Sequence, residues 1–219
     1  MHSFFKTVCL ALMVATLAAC ASSQSSYDYR ALRASKPRSI LVLPPENHSP
    51  DVRATYSFLS VATAPLAEAG YYVFPVALVD QTFKENGLSL PGEMFQAPLG
   101  KIGEIFGADA ALYITIEQYG AVYQVIDSSV TVSASARLVD VRTGELLWEG
   151  RAKASNAEGR NNNAGGVASL LVTALIRQVA GNVGDPAHGV AAIASQRLLS
   201  GGPNGLLPGP RSPYHQAGK

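Results

Sequence analysis

Leu17-Ala18-Ala19-Cys20 places a thiol directly behind two small residues at the end of an apolar run, a spacing that invites a defined chemistry. Leu-Ala-Ala-Cys matches the bacterial lipobox. That motif implies diacylglyceryl transfer to the Cys20 thiol, cleavage before it, and acylation of the new amino group. His2 and Lys6 give a weakly positive start, and Val8 to Ala18 is shorter than the roughly 20 residues a membrane-spanning helix needs. Residues 1–19 therefore read as a lipoprotein signal peptide. Each buried methylene adds about 0.8 kcal/mol, so several acyl chains on one residue would hold firmly. Ala21 stands where an aspartate would signal inner-membrane retention, so the expected place is the outer membrane, with the domain facing the periplasm rather than the cell surface.

The other groups able to do chemistry are sparse. Glu46, Asn47 and His48 follow the first strand, where a parallel sheet presents its ligand-facing loops. Tyr119 and Tyr123, with Tyr113, have the spacing to line a peptide or glycan groove. His188 falls in a helix's first turn and reads as a surface residue, and His215 falls in the tail. No HExxH, GxSxG, phosphate-cradling glycine loop or CxxC pair occurs. The expectation is a protein without catalytic residues, metal or cofactor.

The elements that position these groups come in two rhythms. Ser39 to Leu43 is an aliphatic run bounded by prolines, which suits a buried strand. Ser49-Pro50-Asp51 predicts a helix start with Ser49 as cap, Pro65 a break or kink, and Gly70 the stop. Tyr71 to Val76 predicts a strand, Ala77 to Asn86 a helix, Leu88 to Pro98 a loop, and Leu99 to Phe106 a short helix stopped by Gly107. Strand–helix alternation implies a parallel pair. From Ala110 to Tyr119 and from Val130 to Leu138 the period becomes two, as in half-buried strands, and Asp140 to Glu145 turns the chain into a further strand over Leu146 to Lys153. Val167, Leu170, Leu171, Ala174, Leu175 and Val179 form a helical stripe, and Asp185-Pro186 caps a last helix. The predicted fold class is α/β (α+β), a mixed β-sheet of about five strands with helices packed on it.

Composition bounds the rest. The chain has 219 residues, 47% hydrophobic, with 17 Lys and Arg against 16 Asp and Glu. Without Lys6 the mature side chains balance, which leaves no electrostatic footprint for nucleic acid. Cys9 and Cys20 allow no disulfide framework in the domain. In the candidate span of the C-terminal half, the stretch from Ala164 to Ile176 has thirteen residues before Arg177 and is too short to cross a membrane. The expected organisation is a lipidated flexible tether over 20–36, one globular domain over 37–201, and a disordered Pro/Gly-rich tail over 202–219.

The segments SILVLPPENHSPDVRAT, PLAEAGYYVFPVALV, FKENG, GADAALYITIEQYG and LVDVRTGELLW together resemble a family of uncharacterised Gram-negative outer-membrane lipoproteins, over roughly residues 20 to 200. That family is similar in fold to the N-terminal domain of TolB and, more distantly, to CsgG-type export lipoproteins. The resemblance implies an accessory role in envelope assembly or transport and carries over no catalytic site.

Three functions are then open. The first is a non-catalytic lipoprotein that binds an envelope protein, with Val167, Leu170, Leu171 and Leu175 as candidate interface. The second is a carrier or sensor that binds a small molecule, peptide or glycan in the loops after the strands, a reading that a defined apolar pocket beside Glu46, Asn47 and Tyr119 would favour. The third is an envelope hydrolase, which would need a Ser or His pair with a carboxylate in a cleft.

Overall fold

A computed structural model describes residues 27–123, 128–158, 185–200 and 204–215. In chain order the elements are α1 (Arg30–Ser35), β1 (Ser39–Val42), β2 (Glu46–Asn47), α2 (Ala54–Glu68), β3 (Tyr72–Val73), α3 (Val76–Glu85), α4 (Pro91–Met94), α5 (Leu99–Phe106), β4 (Ala110–Tyr123), β5 (Ser128–Asp140), β6 (Leu146–Ser155) and α6 (Pro186–Leu199). The strands form one six-stranded mixed sheet in the order β3-β1-β4-β5-β6, with β2 continuing beside β4. β1 is parallel to β3 and β4, whereas β4, β5 and β6 run antiparallel.

Pleating divides the core between the two faces. Ile40, Val42, Leu112, Ile114, Leu138 and Trp148 join α2 and α6 on one face, and Leu41, Leu43, Ala111 and Tyr113 join α3, α4 and α5 on the other. The aliphatic run of β1 is buried on both sides for this reason. Asp140, Arg142 and Gly144 make the β5–β6 turn, with Gly144 at φ 75° and the Asp140 carboxylate accepting from the amides of Arg142 and Thr143.

Several expectations are corrected. The first long helix begins at Ala54, not at Ser49, because the Asn47 side chain holds the intervening turn: its Oδ1 accepts from the Ser49 amide and its Nδ2 donates to the Asp51 carbonyl. Pro65 neither breaks nor ends that helix. Its missing N–H leaves the Val61 carbonyl without its intrahelical donor, and the fully buried Ser195 hydroxyl of α6 donates there at 3.1 Å. The second predicted strand shrinks to Tyr72–Val73, and the predicted loop after Leu88 contains α4.

The expected tether and tail are corrected in the same way, because both ends of the chain contribute to the core. Leu32 of α1 is buried, Tyr27 and Tyr29 pack beside it, and the Ser35 hydroxyl donates to Asp140 at 2.7 Å. Leu206 is also buried, and the indole of buried Trp148 donates to the Asn204 carbonyl at 3.0 Å. Farther on, the Gly209 amide donates to Ala69 and that of Arg211 to Gly70. Gly70 has φ +93°, and a Cβ on it would lie 2.3 Å from the Ser212 nitrogen. Only glycine fits that approach. The domain thus starts by Tyr27 and extends past Pro210, whereas Cys20 and residues 21–26 lie outside the described residues, as do Val167, Leu170, Leu171 and Leu175.

Candidate functional site

Tyr119 owes its position to an irregularity in β4. The β4–β5 register shifts between Ile116 and Gln118, so Glu117 is an extra residue on β4. Such a bulge re-aims every side chain beyond it. Strict alternation would put Tyr119 on the face of Tyr113; instead Tyr113 packs edge-on to Phe95 on one face and Tyr119 joins the α2–α6 face. The two tyrosines therefore line no common groove. For Tyr123 only the backbone, paired with Ser128, is described.

Where Tyr119 arrives, side chains from four segments meet. Its hydroxyl donates to Ser57 Oγ of α2 at 2.5 Å, and Ser57 Oγ lies 2.8 Å from His188 Nδ1 of α6. Ser57 Oγ thus stands between the phenol and the imidazole, able to accept from the one and to donate to the other. Asp185 caps α6 by accepting from the Ala187 amide, and its other oxygen lies 3.4 Å from the Tyr119 hydroxyl and 3.5 Å from Arg53 Nη1. Arg53 also grips Asp51 at 2.7 Å. Burial pushes the Tyr119 phenol up to about 12, with the bond to Ser57 opposing and the Asp185 charge adding to the shift. The Arg53 guanidinium holds the Asp51 carboxyl below the usual carboxylate range.

Asn47 is brought to this network through Asp51, but Glu46 and His48 are not. His48 lies between two carboxylates, 3.5 Å from Glu46 and 3.7 Å from Glu117, on a half-exposed surface. Among the described residues no group of three His, Cys, Asp or Glu side chains is placed to hold a metal. Sequence reasoning missed Ser57, Arg53 and Asp185 as members of one cluster and placed His188 at the surface. Ser57 and His188 are 131 residues apart, and no local pattern links them.

The Ser57–His188 pair resembles the start of a hydrolytic triad, but a triad needs an acid on the far ring nitrogen. Asp185 accepts from the Ala187 amide and faces Arg53 instead, and among the described residues no carboxylate contacts the His188 ring. What the cluster does is fasten α2, α6 and β4 together.

A different site is open to other molecules. On the antiparallel half of the sheet, Ser133, Ser135, Arg137, Glu149, Arg151 and Lys153 point away from α2 and α6, and among the described residues no helix covers them. A cleft of about 720 Å³ opens here against β6, with Thr115, Ser135, Arg137, Glu149 and Arg151 among its walls. The outer edge of β6 is partly blocked: the Glu149 amide donates to Tyr27 Oη, and the Lys153 carbonyl accepts from Arg197.

The comparisons with known proteins agree with the limits of the folded domain. The profile of the family described as "Putative lipoprotein GNA1162-like" matches residues 27–211, taking in both ends that pack on the core. The "Putative lipoprotein NMB1124/NMB1162" of Neisseria meningitidis serogroup B is 48% identical over 200 residues, 90% of this chain and 92% of that protein. The crystal structure of lipoprotein GNA1162 from Neisseria meningitidis superposes with a TM-score of 0.54 at 50% identity, over 67% of this chain and all of that one. The PelC dodecamer structure from Paraburkholderia phytofirmans overlaps more loosely, at 14% identity and TM-score 0.46, over 84% of this chain and 96% of that one. Likeness to TolB and to CsgG-type lipoproteins stays an expectation from the motifs. By its profile, its close relative and its fold, the chain belongs to the GNA1162-like lipoprotein family.

Proposed function

We propose that this chain is an outer-membrane lipoprotein, anchored through lipid on Cys20 and facing the periplasm, that serves as a non-catalytic protein-interaction subunit in envelope assembly, transport or export. The observation that carries the reading is the bare polar face of β5 and β6. Arg137, Arg151 and Lys153 have no carboxylate partner among the described residues, although Glu149 stands directly opposite Arg137. Because Tyr27 and Arg197 occupy groups on the β6 edge, strand addition there is hindered and the face itself is left for a partner. Its charge suits an acidic protein surface, which would gain most of its specificity and association rate from complementarity.

The test is co-purification from detergent-solubilised envelopes, read by mass spectrometry. An Arg137→Ala/Arg151→Ala double variant, which sets no like charge opposite Glu149, should lose the envelope proteins that the native chain retains while its melting curve stays within about 0.5 kcal/mol of native. An unchanged set of captured proteins would refute the reading. The anchor is tested separately: Cys20→Ala should release the protein from the outer-membrane fraction, and unaltered association would remove Cys20 as the lipid site. A carrier or sensor role is the second reading, favoured by an apolar cleft elsewhere in the domain.

A further inference from the structure

The two chain ends that pack on the core also build a site. α1, the Pro37–Arg38 entry into β1, and the segment from Leu207 to Pro210 enclose a cleft of about 460 Å³. Its floor is apolar: Leu32, Tyr71, Leu207 and the prolines at 37, 208 and 210 line it. The Tyr71 hydroxyl is engaged by the Leu207 carbonyl at 2.8 Å, so it offers no free donor inside. The far wall is fixed by the Gly209 and Arg211 amides and by the Gly70–Ser212 approach already described.

The rim has one sign. Arg33, Lys36 and Arg38 line it and no carboxylate does. Arg38 reaches Asp109 at 3.9 Å, but Arg33 and Lys36 have no acidic partner among the described residues. An apolar cleft of small-molecule size with a few convergent charged groups is the usual form of a ligand site. With 17 Lys and Arg against 16 Asp and Glu in the whole chain, three cations and no carboxylate around one cleft is a local excess.

We propose that the cleft binds a single-chain anionic amphiphile, with an aliphatic tail on the Leu32–Tyr71–Leu207 floor and a carboxylate or similar head between Arg33 and Lys36. The head would be held by charge-assisted hydrogen bonds, the stronger class of such contacts. The tail would displace water from a floor that offers it no polar partner. This assignment is independent of the protein-interaction face, which lies on β5 and β6.

The experiment is calorimetric titration of the chain from residue 20 carrying Cys20→Ala, so that every described residue is present and no anchor lipid competes. Sodium decanoate is the probe, kept below its micellar concentration. Decanol tests the tail alone, inorganic phosphate the anion alone, and decyltrimethylammonium the reversed charge. Decanoate should bind at least roughly tenfold more tightly than each of these. In Arg33→Glu/Lys36→Glu, two exposed and unpaired positions, decanoate should weaken by at least tenfold while decyltrimethylammonium gains, with the melting curve unchanged. Equal binding of decanol and decanoate would reduce the cleft to a greasy surface, and equal binding of phosphate would reduce it to an anion site. Either result, or an order of affinities that the charge reversal does not invert, overturns the proposal. So would failure of decanoate to bind at millimolar concentration.

Discussion

Replacing Leu206 by alanine asks whether the C-terminal segment belongs to the folded domain. Leu206 keeps 6% of its surface exposed and sits in the core cluster that contains Trp148 and Leu32. The substitution deletes three carbons, about 2.4 kcal/mol at roughly 0.8 kcal/mol each, and fully buried leucines cost 2 to 5 kcal/mol once the cavity is counted. The segment carrying Leu206 has no regular structure and relaxes more easily than a helix, so the lower part of that range applies, about 2 to 3 kcal/mol. For a chain of this size each kcal/mol moves the melting temperature by about 2 to 4 °C. The expected fall is therefore roughly 4 to 12 °C.

Urea and thermal unfolding measure this, with Tyr214→Ala as the control. Tyr214 is 70% exposed, and its loss should change stability by less than about 0.5 kcal/mol. The chain's single tryptophan supplies a second readout. Trp148 is fully buried with its indole bonded to Asn204, so native emission should be that of a dry indole, and loosening the segment should shift it to the red. A Leu206→Ala variant no less stable than the control, or native emission already that of a solvated indole, would refute the packing argument.

Three further outcomes follow from the geometry. Gly70→Ala places a side chain at φ +93° and 2.3 Å from a backbone nitrogen, so it should cost more than about 2 kcal/mol in urea titrations and loosen the Gly209–Arg211 strap. Burial pushes the Asp140 carboxyl up, but bonds from Ser35, Thr143 and Arg142 outweigh it and hold the group below its usual range. Its folded value is depressed, so its contribution is complete above the unfolded value of about 3.9 and fades as pH falls through the folded value; Asp140→Asn should be less stable at pH 7 and flatter in stability below pH 4. Ser57→Ala removes the hydroxyl between Tyr119 and His188 and should cost about 1 to 2 kcal/mol, which thermal unfolding would register.

The elements legible in the sequence are those whose signals are local. β1 was bounded by prolines, α5 by Gly107 in the left-handed region at φ 66°, and α6 by an Asp-Pro cap whose carboxylate accepts the Ala187 amide. The two long hairpins announced themselves by period two. The chain ends had no such signal. Six residues of α1 would not form a helix alone, and the tail has no period; each is ordered by partners about 176 positions away, as when Tyr27 and Tyr29 bond to Asn204 and Gly205. Proline content reads as disorder where the chain in fact packs against the residues just past α2, bonding to Ala69 and Gly70 and turning over 210–214.

The site was less legible because its geometry depends on exceptions to periodicity. One extra residue in β4, Glu117, carries Tyr119 across the sheet, and one buried hydroxyl, Ser195, repairs the carbonyl that Pro65 leaves open. Neither leaves a mark in composition, and each decides which side chains meet. Without the bulge, Tyr119 would face Tyr113 and its hydroxyl would not reach Ser57; the tie from β4 to the α2–α6 seam would be lost. The polar network so formed lies inside the α2–α6 seam, whereas the cationic groups without partners lie on the β5–β6 face and at the rim of the α1 cleft. A buried polar group gains by being satisfied within the chain, and a cation left unpaired at a surface is free to meet a partner. That division, more than any motif, is why the binding readings rest on Arg137, Arg151, Arg33 and Lys36 and not on the Ser57–His188 pair.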